Sequence, residues 1–244
     1  MEIFDLTYPL GPTTPVHPGD PAVTVRRIRT HVTDGYEVTY LCLGSHSGTH
    51  LDAPRHFFPG GATLDEYPVD RLVGPGVVVD VRPQATITGK PEPAGEGPVP
   101  DEGPPPTDPR LIDAALLSER LRLAGVAPGH FFPGYFILLW TAGACLSPDA
   151  AGLLLETGAG LVGTDGPSLD PRPPVSQDSA SDRTRPVETL EPYAAHRLLL
   201  GNGVLLAEGL CNLDRLGPGP VSCAFLPLAV VGTDGAPVRA IAWR

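Results

Sequence analysis

Lysine is nearly absent from this sequence: Lys90 is the only one in 244 residues, and 17 basic residues in all face 28 acidic ones. The formal charge of −11, with no basic run, repels phosphate backbones and argues against nucleic-acid binding. Cysteine is scarce as well. Cys42, Cys145, Cys211 and Cys223 stand 103, 66 and 12 residues apart with no C-x-x-C pair, and a chain of this length needs no disulfide staple. They read as buried thiols of a cytoplasmic protein. Long apolar runs are missing too. The longest, YFILLW at 135–140, has six residues, against about 20 for a membrane-spanning helix. The opening MEIFDLTYPLGP has an acid at position 2 and lacks the basic start of a secretory signal. No G-x-S-x-G elbow occurs, so a serine nucleophile on a strand-to-helix turn is not expected.

What the chain has in excess is backbone punctuation, 31 Pro and 29 Gly. Such a composition approaches the disordered class, yet 41% of residues are hydrophobic and only 18% charged, enough apolar surface to bury a core. The glycines follow no three-residue period, which excludes collagen. Strands are predicted over residues 23–30, 36–44, 77–81, 135–140, 161–164, 204–208, 221–231 and 238–243, from their β-branched and aromatic content. Helices are expected over 108–123, opened by Asp108-Pro109, over 147–156, opened by Ser147-Pro148, and over 187–200, closed by Gly201-Asn202-Gly203. Strands and helices interleave without an internal repeat, which predicts a single α/β domain spanning 1–244. Within it, residues 83–109 hold 9 Pro and 4 Gly in 27 positions and read as an exposed insertion.

The chemistry concentrates between Ser45 and Phe57, where His46, His50, Asp52 and His56 recur at even intervals. On a straight strand all four would face one side. His46 and Asp52 would then lie about 20 Å apart, at roughly 3.3 Å per residue, whereas ligands to one metal sit about 2 Å from it. The chain must bend, and Gly48 and Pro54 are where bending costs least. Imidazole plus carboxylate suits Zn, Mn or Fe better than Ca or Mg.

Written as H-x-G-T-H-x-D-A-P-x-H-F, residues 46–57 resemble the signature of the cyclase family of metal-dependent hydrolases, which includes bacterial kynurenine formamidase and isatin hydrolase. The likeness extends to residues 74–81, similar to the family's strand after the metal loop, and to 163–170, similar to its D-x-x-S-x-D turn. His196 to Leu210 resembles its H-x(11)-E-G-L segment. The resemblance implies an α/β domain of the swivelling β/β/α type, with a mixed sheet, peripheral helices and long Pro/Gly-rich loops. It also implies a homodimer and two divalent metal ions per chain, Zn2+ or Mn2+. By the family pattern His46, His50 and Asp52 hold one metal and His196 a second, with Asp52 and Glu208 shared between them. A helix–turn–strand hairpin from His196 to Glu208 is compatible with that pairing. Glu208 ends the apolar Val204-Leu205-Leu206-Ala207, where an unpaired acid is costly; an arginine partner is the other way to satisfy it. His56 is implied as the group that takes and returns a proton.

The implied reaction is hydrolysis of an amide, lactam, lactone or ester of a small carbonyl compound by activated water. His17, Asp165 and Ser168 are the expected substrate contacts, with Asp170 beside them. In the kynurenine formamidase branch a Trp precedes the P-G-D turn, here Pro18-Gly19-Asp20; His17 in its place offers less stacking area, which points away from N-formylkynurenine. His31 and His130 have no partners in spacing and read as structural, and Trp140 as core. Two other readings stand beside hydrolysis. One is a metal-dependent cyclase or dehydratase of a biosynthetic pathway; the other is a metal-stabilised binding protein without turnover, against which the presence of His56 speaks.

Overall fold

The computed structural model describes residues 1–17, 19–83, 111–126, 135–171 and 192–244. In chain order these form β1 (Ile3–Asp5), β2 (Thr24–Arg29), the short helix α1 (His31–Asp34), β3 (Val38–Cys42), β4 (His50–Asp52) and three 3-10 turns, Pro54–His56, Leu64–Glu66 and Val69–Arg71. Then come β5 (Val73–Asp80), β6 (Leu111–Ile112), α2 (Ala114–Leu123), β7 (Phe136–Trp140), β8 (Cys145–Leu146), α3 (Pro148–Thr157) and β9 (Leu161–Thr164). The remainder is α4 (Ala194–Gly201), β10 (Leu205–Glu208), α5 (Leu213–Leu216), β11 (Gly219–Pro227) and β12 (Gly235–Trp243).

One mixed eight-stranded sheet organises the fold, in the order β1-β12-β11-β5-β7-β9-β10-β4. Its middle, β5-β7-β9-β10, is parallel, and the flanking strands are antiparallel. Strand β4 pairs with β10 and also with the start of β12, so all strands of this sheet except β1 close into a ring. Parallel strands are buried on both faces, which is why they read as unbroken apolar runs. Leu51, Val78, Phe136, Leu161, Leu205, Ala207, Phe225 and Val238 meet in one core. That core draws on every strand of the ring and is its interior. The alternate residues Val77, Val79, Ile137, Leu139, Val162 and Leu206 pack outward against Leu117, Leu154 and Leu199 of α2, α3 and α4. Since Leu51 and Ala207 point inward, the two-residue period of a strand turns His50, Asp52 and Glu208 outward, to the face that α4 covers.

Several boundaries differ from those expected. Helix α2 starts at Ala114, capped by Asp113, which accepts the Leu116 N–H at 2.8 Å. The preceding Leu111–Ile112 is drawn into pairing with β8 and cannot be helical. The expected start at Asp108, with nearly all of the insertion over 83–109, lies outside the described residues; so do His130 and residues 187–191 of the third helix. Strand β11 ends at Pro227 rather than 231, because the Val230 N–H turns back onto the Leu228 carbonyl. The cysteines form no disulfide, and only Cys223 is buried; Cys42 is exposed and the other two are half-buried. No helix among the described residues is long and apolar enough to cross a membrane.

The seam between β4 and β12 tolerates no side chain at Gly235. A Cβ there would stand 2.6 Å from the Leu51 carbonyl oxygen and 2.8 Å from His46 Cε1. Gly235→Ala is therefore expected to open the seam and displace His46, lowering unfolding free energy by about 1–3 kcal/mol, read as a lower denaturation midpoint.

Candidate metal centre

Three elements bring the side chains together. In the antiparallel β4–β10 ladder His50 lies directly opposite Glu208, Asp52 projects from the same face, and α4 places His196 over them. Ahead of β4, Gly48 takes φ +64, a left-handed conformation, and a Cβ there would meet Leu10 Cδ2 at 2.8 Å. The chain folds back at this point and returns His46 to Asp52. After β4, Pro54 starts a 3-10 turn that swings His56 to within 4.0 Å of the His46 ring, centroid to centroid. The bend required of this segment thus occurs at the two positions where it was expected.

The distances fall into two classes. His50 Nε2 is 3.3 Å from Asp52 Oδ1 and 3.8 Å from Glu208 Oε2. His196 Nε2 is 3.5 Å from Asp52 Oδ2 and 3.2 Å from Glu208 Oε1. Donor atoms sharing a metal at 2.0–2.2 Å are spaced by about 3.0–3.5 Å, so this group has the separation of ligands rather than of close hydrogen bonds. The outer nitrogens are held differently. His50 Nδ1 donates to the Gly48 carbonyl at 2.9 Å, and His196 Nδ1 to Asp170 Oδ2 at 2.6 Å. A histidine tied by one nitrogen to an outer acceptor, with the other aimed at carboxylates, is oriented as a metal ligand. His46 is held on both sides, by Asp52 Oδ1 at 2.7 Å from Nδ1 and by Asp234 Oδ2 at 2.9 Å from Nε2. It must give up a proton to ligate.

Charge gives a second test of fit. Asp52, Asp170 and Glu208 are 1%, 3% and 4% exposed, and among the described residues no arginine or lysine pairs with any of them. Among the described residues Glu208 has no arginine partner; its Oε1 accepts the Leu169 N–H at 2.9 Å. Among the described residues only imidazole protons offer positive charge here, and a His/Asp/Glu donor set with oriented histidines fits a divalent ion such as zinc or manganese. Without a metal, burial opposes charge on His46, but the Asp52 and Asp234 carboxylates raise it to about 9. His50 and His196 are likewise raised against burial, His50 by Asp52 and His196 by Glu208 and Asp170. Burial resists charge on Asp52 too, yet the surrounding histidines hold it well below the usual carboxylate range. His56 behaves oppositely: burial lowers it, and the pull of Asp52 only partly compensates.

The remaining expected contacts are placed elsewhere or more remotely. The Asp165 carboxylate is taken up by the Thr141 N–H and hydroxyl, at 2.8 and 2.6 Å, and by the Ala142 N–H. Ser168 Oγ accepts the Asp170 N–H at 3.2 Å. His17 is exposed, its carbonyl closing a turn with the Asp20 N–H at 3.0 Å. Trp140 is half-buried and carries the Arg82 guanidinium 3.5 Å from its ring centroid. Asp170, in contrast, both orients His196 and caps α4, accepting the Ala195 and His196 N–H groups at 2.9 and 3.0 Å. Asp234 has no signal in the motif at all. It lies 178 residues from His56, and only the adjacent Gly, needed for close approach, hints at it.

The cyclase family model matches residues 4–171 of this chain. A kynurenine formamidase from Salinibacter ruber is 33% identical over 246 residues, covering 99% of this chain and 97% of its own. Among solved structures, an isatin hydrolase bound to the product analogue thioisatinate has TM-score 0.72 at 24% identity, covering 99% of this chain and 91% of its own. Isatin hydrolase A from Labrenzia aggregata, bound to benzyl benzoate, has TM-score 0.73 at 23% identity, with 99% and 93% covered. At those identities the two structures speak to the fold.

The raised histidines give metal-free protein a defined pH response. A group whose folded value lies above its free value stabilises fully below the free value, and that stability is lost as pH rises through the folded one. For His46 the window runs from 6.5 to about 9. Chelator-treated protein should show a falling melting temperature across that window, and added Zn2+ should restore it at pH 9.

Proposed function

Because the chain belongs to the cyclase family, we propose that it is a metal-dependent hydrolase cleaving an amide, lactam or ester bond of a small carbonyl compound. One observation carries the reading: His50 and His196 aim Nε2 at the same two buried carboxylates, while His56 stands at the rim, partly exposed. Relatives named kynurenine formamidase and isatin hydrolase support a small carbonyl substrate. We assign His46, His50 and Asp52 to one divalent ion and His196 to a second, with Asp52 and Glu208 shared; zinc and manganese both suit these donors. When bound, such ions supply a water of lowered pKa and polarise a carbonyl oxygen.

The chain's own residues do the rest. His56, held below its ordinary value by burial, is neutral near pH 7. Its Nδ1 faces Asp234 at 3.2 Å, leaving Nε2 to accept a proton from water and return it to the leaving nitrogen or oxygen. Phe57 packs 5.2 Å from the His196 ring and 5.4 Å from Tyr193, an aromatic wall that excludes water from one side. His17 in place of a tryptophan supports a substrate other than N-formylkynurenine. Cysteines outside any disulfide, one of them exposed, fit a reducing cytoplasm.

A homodimer is part of the same proposal. Strands β2 and β3 form a separate two-stranded ribbon exposed at every position, including Tyr40 at 46% and Leu41 at 60%. A lone ribbon is marginally stable in water, and a second copy would cover it. Leu41→Asp should shift the molar mass measured by light scattering from dimer to monomer.

The function is tested on zinc- or manganese-loaded protein with N-formylkynurenine, isatin and aryl esters. Two ions per chain and turnover of at least one substrate are expected. His56→Ala should retain metal while kcat drops about 10²–10⁴-fold. Bound metal without turnover on any of them would favour the cyclase or binding reading.

A further inference from the structure

Each histidine of the centre has an outer acceptor: Gly48 for His50, Asp170 for His196, and for His46 and His56 the same group, Asp234. A single oxygen, Asp234 Oδ2, lies 2.9 Å from His46 Nε2 and 3.2 Å from His56 Nδ1. Asp234 immediately precedes β12, in the seam residue pair where Gly235 stands against His46 and opposite Asp52. Its position is thus fixed by the closure of the ring, not by a flexible side-chain reach.

We propose that Asp234 is a positioning residue that serves both histidines at once, fixing His46 with its proton on Nε2 and His56 with its proton on Nδ1. The consequence for each ring is definite. His46 then presents Nδ1 toward Asp52, where it is 2.7 Å away. His56 presents an unprotonated Nε2 to the open rim. One carboxylate thereby ties the orientation of a ligand to that of the acid–base group, and the two rings, 4.0 Å apart, cannot turn independently. Carboxylate partners of metal-ligating histidines are worth about 10–100-fold in metal affinity or activity. This proposal rests on the hydrolase reading for the role of His56, but not for the proton positions.

The test uses zinc-loaded full-length protein labelled with 15N-histidine. Long-range 1H–15N spectra report which nitrogen of each ring carries the proton. Wild type should show His46 protonated on Nε2 and His56 on Nδ1. Asp234→Ala should release His56 to the Nε2–H form common in water, weaken zinc binding about 10–100-fold, and lower kcat with KM little changed. Asp234→Asn keeps a carbonyl acceptor of the same shape and should retain both proton positions and more of the activity, and it serves if the alanine variant fails to fold. Unchanged proton positions in Asp234→Ala, or His56 protonated on Nε2 in wild type, would overturn the proposal. If wild type hydrolyses nothing, the hydrolase reading fails while the spectra still decide the role of Asp234.

Discussion

Three buried carboxylates, none paired with an arginine or lysine among the described residues, set the terms for this structure. Asp52, Asp170 and Glu208 converge on His50 and His196, themselves nearly inaccessible. Unpaired charges in such a place are not tolerated. Imidazole protons balance them when no metal is bound, and a divalent ion can replace those protons. Folding, metal binding and proton uptake therefore draw on one electrostatic balance. The near absence of lysine across the chain is consistent with it, since a competing ammonium in this pocket would occupy the place of the metal.

The fold serves that balance by supplying rigidity from three directions. The ladder between β4 and β10 fixes His50 opposite Glu208, and β12 closes against the other edge of β4, bringing Asp234 and Gly235 beneath His46. Helix α4 has no side-chain cap of its own, and Tyr193 at its start adopts φ +63. Asp170 takes over the capping and in the same gesture holds the His196 ring. One side chain anchors both a helix terminus and the His196 ring, so the helix cannot shift without the ring shifting too.

Much of this was legible from local pattern. The strand at 161–164 and the helix opened by Ser147 follow from apolar runs and capping chemistry that act within a few residues. The bend at Gly48 and Pro54 followed from reach: a straight segment cannot bring His46 and Asp52 to one ion. Less legible were the starts of α2 and α4. At the first, Leu111–Ile112 pairs with the distant strand β8, and at the second the distant Asp170 carboxylate accepts the first helical N–H groups. Asp165 and Asp170 look alike in one turn, yet one binds the Thr141 loop and the other His196. Only the packing of β7 and α4 around that turn separates them.

The sequence by itself determined the donor types, their phase along residues 46–56, the lack of a G-x-S-x-G elbow and the apolar runs that become the parallel strands. These are properties of composition and short-range spacing. The tertiary structure alone decided that Glu208 meets two histidines and a backbone N–H, and that His46 and His56 share Asp234. Those contacts span from 12 to 188 residues of chain. They exist because the ring closes at β4 and β12 and turns one face of β10 toward α4, and no spacing within a segment encodes that closure.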